Sequence, residues 1–252
     1  MKIARFEWEG TTSLGIVAGD ALLAVVGDLF GEFSVGERVC GLGEARILAP
    51  VVPGKVVAVG LNYAAHVQEA RPDQPVPEEP IIFLKPASSV IGPLSPIAYP
   101  KMSRRVDHEA ELAIIIGKLA KNVAEEEAGE YILGYTCGND VTARDVQRKE
   151  GQWTRAKSFD TFCPLGPYIV TGIDASNLAI ECRVNGQVRQ KSRTGLMVHK
   201  VEKLVSFISQ VMTLHPGDVI LTGTPEGIGP VRVGDVIEVE IEGIGVLQNP
   251  VG

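Results

Sequence analysis

The sequence predicts a mainly β protein of the α+β class. Strand-length apolar runs separated by turn residues recur along the chain, a single segment has sustained helical periodicity, and both a β–α–β alternation and a glycine-rich phosphate loop are missing. The opening residues divide into short strands, Lys2 to Trp8, Thr12 to Val17 and Ala21 to Val26, with Glu9-Gly10 and Gly19-Asp20 as hairpin turns. Pro50 and Pro53 then favour an extended connector. A small N-terminal β domain over residues 1–48 is therefore expected ahead of a larger domain over residues 49–252. In the larger part the strand-like runs are Lys55 to Val59, Ile81 to Leu84, Glu111 to Ile116, Tyr168 to Val170, Ala179 to Val184, Val219 to Leu221 and Val236 to Ile241. The helix is expected over Met197 to Met212, where Val201, Leu204, Val205, Ile208 and Val211 recur at spacings of three and four and Pro216 follows.

Composition excludes several functions. The 252 residues are 45% hydrophobic and 22% charged, as in a folded globular chain. With 24 basic residues against 31 acidic ones, a net charge of −7 and no basic block, nucleic acid is not expected as a partner. No membrane partner is expected either, because the longest apolar stretch, Ile47 to Leu61, is broken by Pro50, Pro53 and Lys55. Charges at Lys2, Arg5 and Glu7 stand where a secretion signal has its apolar core, so a cytoplasmic location is expected. Cys40, Cys137, Cys163 and Cys182 form no C-x-x-C pair and read as buried thiols.

Three stretches hold residues suited to chemistry. In Asp107-His108-Glu109-Ala110-Glu111, the period of two of a strand sends Glu109 and Glu111 to one face, where a cation would offset their repulsion on burial; a solvated edge strand has the same spacing. Asp140 follows about thirty residues later and offers a third carboxylate, though alone it also reads as a turn residue. An all-carboxylate set suits Mg²⁺, Mn²⁺ or Ca²⁺ over zinc. In Asn62-Tyr63-Ala64-Ala65-His66-Val67-Gln68-Glu69, a helix would bring His66 and Glu69 together as a carboxylate-oriented base, or equally as a surface pair. Arg144, Gln147, Arg155 and Lys157 are donors for an oxyanion, although each singly also fits a surface salt bridge. Thr224, in the turn-rich loop Gly223 to Pro230, either faces a ligand or merely sits in a connection.

The segments GLNYAAH, IIFLKPASSVIGP, DHEAELAIIIGK, GYTCGNDVTARDVQ, AKSFDTFCPLGP and PGDVILTGTPEGIGP, in this order, resemble the fumarylacetoacetate hydrolase superfamily. The similarity is to its small bacterial members, described as 2-hydroxyhepta-2,4-diene-1,7-dioate isomerases, acylpyruvate hydrolases and oxaloacetate decarboxylases. It implies a mixed β-sandwich roll, a homodimer, and Mg²⁺ or Mn²⁺ (with Ca²⁺ as a crystal substitute) on Glu109, Glu111 and Asp140. It further implies a catalytic dyad of His66 with Glu69 on a lid that orders around ligand, a catalytic Lys157, and substrate contacts from Gln147, Arg144, Asn62, Tyr63 and Thr224. The implied substrate is a small acidic molecule, a 2-oxo or 2-hydroxydienoic acid, reacting through an enolate in aromatic catabolism. Isomerisation is the reading taken, with hydrolysis, decarboxylation and a non-catalytic metabolite binder as the alternatives. True fumarylacetoacetases have a further metal-binding aspartate seven positions before their histidine; here that position is Val59, which argues against fumarylacetoacetate itself.

Overall fold

Ala110–Ile116 is the organising strand, and every one of its residues is buried. Leu112, Ile114 and Ile116 point to one side and Ala113 and Ile115 to the other, so this period-two segment supplies two apolar layers at once. In the computed structural model, which describes residues 1–252, this strand lies inside a twelve-stranded sheet. The strand order is Phe33–Gly41, Ala21–Gly27, Thr11–Ala18, Lys2–Trp8, Cys163–Val170, Ile132–Asn139, Ala110–Ile116, Val219–Leu221, Val56–Gly60 and Ile81–Lys85, with Arg46–Ile47 and Val90–Ile91 paired off this path.

The N-terminal meander joins this sheet through Lys2–Trp8, which runs antiparallel to Cys163–Val170. Ile3, Ile16 and Leu29 pack in the same apolar cluster as Val56, Ala113, Ile115 and Leu165. A four-stranded sheet, Gln187–Arg193, Ala179–Val184, Val236–Ile241 and Gly245–Pro250, covers the other side together with the helix Val201–Val211. A three-stranded sheet of Thr142–Ala143, Val106–His108 and Gly229–Val231 closes one end. The mainly β, α+β class expected of the sequence is what the chain adopts.

Two local departures have physical reasons. The helix starts at Val201 rather than Met197, because the preceding backbone is already engaged: Met197 pairs with Tyr63, and the N–H groups of Val198 and His199 donate to Asn62. Phe33–Gly41 and Gln187–Arg193 do not read as strands in sequence because each buries only one residue and lacks an apolar alternation. All four cysteines are buried and unpaired, and burial pushes the Cys163 and Cys182 thiols up to about 12, so they are inert. No helix is long and apolar enough to cross a membrane.

The parallel pair Val56–Gly60 and Val219–Leu221 is tied at one end by Asp218. Its buried carboxylate pairs with the Lys55 ammonium and accepts from the backbone N–H groups of Lys55 (3.0 Å) and His215 (2.8 Å). Asp218→Ala leaves two part-buried backbone donors and the Lys55 ammonium without their partner, so a loss of about 1–2 kcal/mol is expected in urea unfolding with an unchanged slope. A loss below about 0.5 kcal/mol would show that this contact adds little.

Candidate metal and substrate site

Glu109 occupies the break between the strands Val106–His108 and Ala110–Ile116, so the two glutamates are not on one uninterrupted strand as expected. The break has a local cause. The Glu109 N–H donates to the Asn139 side-chain carbonyl (3.0 Å), and the Glu109 carbonyl accepts from the Asp140 N–H (2.9 Å). The same turn thus brings Glu109 and Asp140 to one point. Glu111 enters from the start of the next strand and its carboxylate accepts the Gly223 N–H at 2.7 Å. Ligand atoms from Glu109, Glu111 and Asp140 lie within 4.8 Å of one another, and all three side chains are buried.

Around them stand four basic side chains, of which Lys85, Lys157 and Arg144 are buried. Lys157 Nζ donates to Glu109 (2.8 Å) and Asp140 (2.5 Å), and Lys85 Nζ donates to Asp140 (2.5 Å). Arg144 forks between Asp107 (2.9 Å) and Glu109, while Arg105 grips Asp107 at 2.9 and 3.1 Å. Four acids, Asp107, Glu109, Glu111 and Asp140, thereby meet four bases, Lys85, Lys157, Arg105 and Arg144.

The match is uneven, because no basic side chain pairs with Glu111. Burial and the nearby Asp140 and Glu109 charges push the Glu111 carboxyl well above its usual range. At Glu109 burial acts in the same direction but is outweighed by Lys157 and Arg144, which hold that carboxyl low. A divalent ion among the three carboxylates would supply the charge that Glu111 lacks, and the all-oxygen donor set would suit Mg²⁺, Mn²⁺ or Ca²⁺. The residues present fit such an ion.

A pH dependence follows. Without metal, a Glu111 whose folded pKa is raised holds a proton that the unfolded chain releases above about pH 4.3, so its contribution to stability falls as pH rises through the acid range. Binding a cation requires the carboxylate. Metal affinity is therefore expected to rise with pH, and titration calorimetry in buffers of different ionisation enthalpy should register proton release. A pH-independent affinity with no proton release would contradict this account of Glu111.

The helix Ala64–Ala70 carries the dyad into the same cleft. His66 Nδ1 lies 3.1 Å from Glu69 Oε2, and because a carboxylate only accepts, Nδ1 donates and Nε2 is left as the basic nitrogen. Glu69 is itself latched by the Gly227 N–H, 3.1 and 3.2 Å from its two oxygens. Gly227 sits at φ +93°, and a Cβ there would come within 2.2 Å of the Arg189 carbonyl, so only glycine permits the latch. His66 and Glu69 share one cleft of about 460 Å³ with Glu109, Glu111, Asp140 and Lys157.

Arg144, Gln147 and Thr224 also line this cleft. Gln147 accepts from Arg144 (2.5 Å), and Thr224 donates to the Ala110 carbonyl (2.9 Å). Asn62 and Tyr63, expected to touch substrate, lie outside the cleft lining. The Asn62 amide is spent on backbone groups: its Nδ2 donates to the carbonyls of His199 and Thr222, and its Oδ1 accepts from the His199 N–H. The Tyr63 ring is packed in the core against which the helix rests. Neighbourhood to His66 in sequence says nothing of direction, and the chain reverses at Leu61, which has φ 60°. Arg155 turns outward and pairs with Glu150. Lys85 was not singled out, since a lysine ending an apolar run gives no sign of a partner 55 residues away.

The C-terminal part of the fumarylacetoacetate hydrolases matches residues 55–252, and an N-terminal module described as Rv2993c-like matches residues 1–50. The chain belongs to the fumarylacetoacetate hydrolase family. It is 50% identical over 228 residues to the mitochondrial oxaloacetate tautomerase fahd2 of Xenopus laevis, covering 85% of this chain and 71% of that protein. Its structure is similar to that of 5-carboxymethyl-2-hydroxymuconate delta-isomerase from Mycobacterium smegmatis, with 50% identity, TM-score 0.93, and 100% and 99% of the two chains covered. The maleylpyruvate hydrolase of Sphingobium sp. SYK-6, solved with manganese(II) and pyruvate, is 33% identical with a TM-score of 0.83 over 100% and 98% of the chains. Isomerase, hydrolase and tautomerase members all occur among these relatives, and the chain is an enzyme of this family.

Proposed function

We propose that this protein is a Mg²⁺- or Mn²⁺-dependent isomerase that moves a proton along the carbon chain of a small 2-oxo or 2-hydroxydienoic dicarboxylic acid, resembling 2-hydroxyhepta-2,4-diene-1,7-dioate, in the breakdown of aromatic compounds. The observation that carries it is one cleft containing three convergent buried carboxylates and a histidine whose Nδ1 is held by Glu69, leaving Nε2 free to accept a proton. Glu109, Glu111 and Asp140 would hold the ion, which when bound would supply polarisation of the 2-oxo group and so ease removal of a proton from carbon 3.

The remaining work falls to side chains. Lys157, Arg144 and Gln147 line the cleft beside the three carboxylates and offset oxygen charge that grows there. His66 Nε2 takes the proton and returns it to another carbon, while Glu69 keeps the tautomer and stabilises the imidazolium. Isomerisation needs no further reactant, because one proton leaves and one returns, and a proton resting on His66 exchanges with solvent before it is returned. Oxaloacetate keto–enol exchange begins with the same removal of a carbon-3 proton but returns it to the 2-oxygen, and the 50% identity to the frog tautomerase favours it as a second reading.

The test is a proton NMR time course in D₂O with Mn²⁺-free, Mg²⁺-loaded protein, using 2-hydroxyhepta-2,4-diene-1,7-dioate, oxaloacetate and acetylpyruvate in separate tubes, each with an EDTA control. A shifted double bond with deuterium gained supports the isomerase. Accelerated enol–keto exchange of oxaloacetate alone selects the second reading. Cleavage of acetylpyruvate to pyruvate and acetate would make it a hydrolase, and CO₂ release from oxaloacetate a decarboxylase. No metal-dependent change in any tube would count against catalysis on these acids and favour a binder.

A further inference from the structure

Beyond the inner ring of paired charges, one arginine at the cleft mouth has no acidic partner and is nevertheless held in place. Arg71 caps the helix Ala64–Ala70, its backbone N–H bonding to the Val67 carbonyl at 2.7 Å. Its guanidinium lies 5.7 Å from the centroid of the Trp153 ring and donates only to the neutral Gln74 side chain (3.0 Å). Trp153 in turn meets Phe83 edge-to-face, with centroids 5.3 Å apart, and Lys157 Nζ lies 5.2 Å from the centre of the Phe83 ring.

These contacts make a continuous shelf from the carboxylate cluster to the mouth: Lys157, Phe83, Trp153, Arg71, all lining the cleft. The shelf rests on Gly60, where a Cβ would come within 2.4 Å of the indole, so a side chain at that position would push the tryptophan away.

The cations at the inner end, Lys85, Lys157, Arg105 and Arg144, are all taken up by acids. Arg148 also lines the mouth without an acidic partner, but it is exposed and has no ring beneath it. Arg71 is half-buried and docked, and so loses less side-chain freedom on gripping an anion. We propose that Arg71, seated on Trp153, reads the second carboxylate of the substrate, so that the enzyme selects dicarboxylates long enough to reach from the carboxylate cluster to the mouth. This rests on the reading of the site as a 2-oxo acid enzyme and adds the specificity residue at its far end.

The test uses the full-length Mn²⁺-loaded protein and equilibrium binding, with no turnover required. Three ligands are compared by calorimetry: oxalate as a head group alone, 2-oxoheptanoate, and 2-oxoheptanedioate, which adds only the terminal carboxylate. The native protein should prefer the diacid over the monoacid by about tenfold, the usual worth of a charged hydrogen bond, and Arg71→Met should bring the two within about twofold. Oxalate affinity should be unchanged in Arg71→Met, which also shows that the variant is folded, and Arg71→Lys should retain part of the preference. If the native protein shows no preference, or Arg71→Met keeps it, the assignment of Arg71 is wrong. If oxalate fails to bind the native metal-loaded protein, the 2-oxo acid reading itself fails, and this inference with it.

Discussion

Replacing Glu111 by glutamine is expected to lower metal-dependent turnover by about 10³-fold or more and to leave the fold intact. Glutamine keeps the volume and an acceptor oxygen for the Gly223 N–H, so the backbone contact at 2.7 Å survives. What it removes is the anionic oxygen, and with it a share of the charge that holds the ion. In the metal-free protein the change also relieves repulsion from Asp140 and Glu109, so the apo melting temperature should hold or rise. Glu109→Gln makes a poorer probe, because it unpairs Lys157 and Arg144 in a buried setting and is expected to cost about 3–5 kcal/mol. Steady-state rates, metal titration and thermal unfolding of Glu111→Gln together check the assignment. Full activity with native metal affinity would remove Glu111 from the ligand set.

The second large effect is expected at His66. His66→Asn should lower the catalysed rate by about 10²–10⁴-fold while metal and oxalate binding stay near native, since the residue acts on the proton and not on the ion. Glu69→Gln should cost less, because the ring remains in the same base position with a weaker orienting partner. Burial raises the Glu69 carboxyl, but the hydrogen bonds from His66 and the Gly227 N–H outweigh it and hold its pKa below the usual range. A depressed carboxyl contributes above its unfolded value and is lost as pH falls through its folded value, so the Glu69–Gly227 latch is intact at neutral pH and fails only in acid. Metal-dependent turnover left near native in His66→Asn would assign the proton transfer elsewhere.

Much of the site was legible because its signals are local. The alternation around Glu109 and Glu111, the spacing of three between His66 and Glu69, and the Pro and Gly punctuation that separates the strands depend on neighbours a few residues apart, where backbone geometry fixes which side chains can meet. The strand Ala110–Ile116 was visible for the same reason, as an apolar run too continuous to face water on either side. The chain order of motifs did the rest for family membership.

Tertiary structure decided what depends on distant partners. Lys85 reaches Asp140 across 55 residues, Gly223 reaches Glu111 across 112, and Gly227 reaches Glu69 across 158; no window of sequence contains such a pair. Asn62 and Tyr63 show the converse, since their position beside His66 suggested substrate while their side chains serve the backbone and the core. The Lys157–Phe83–Trp153–Arg71 shelf likewise unites residues from three places in the chain, Trp153 and Lys157 coming from one short helix and its cap. Residue type and spacing determine which chemistry is available, whereas the direction in which each side chain points, and what neutralises it, is set only when the sheets pack.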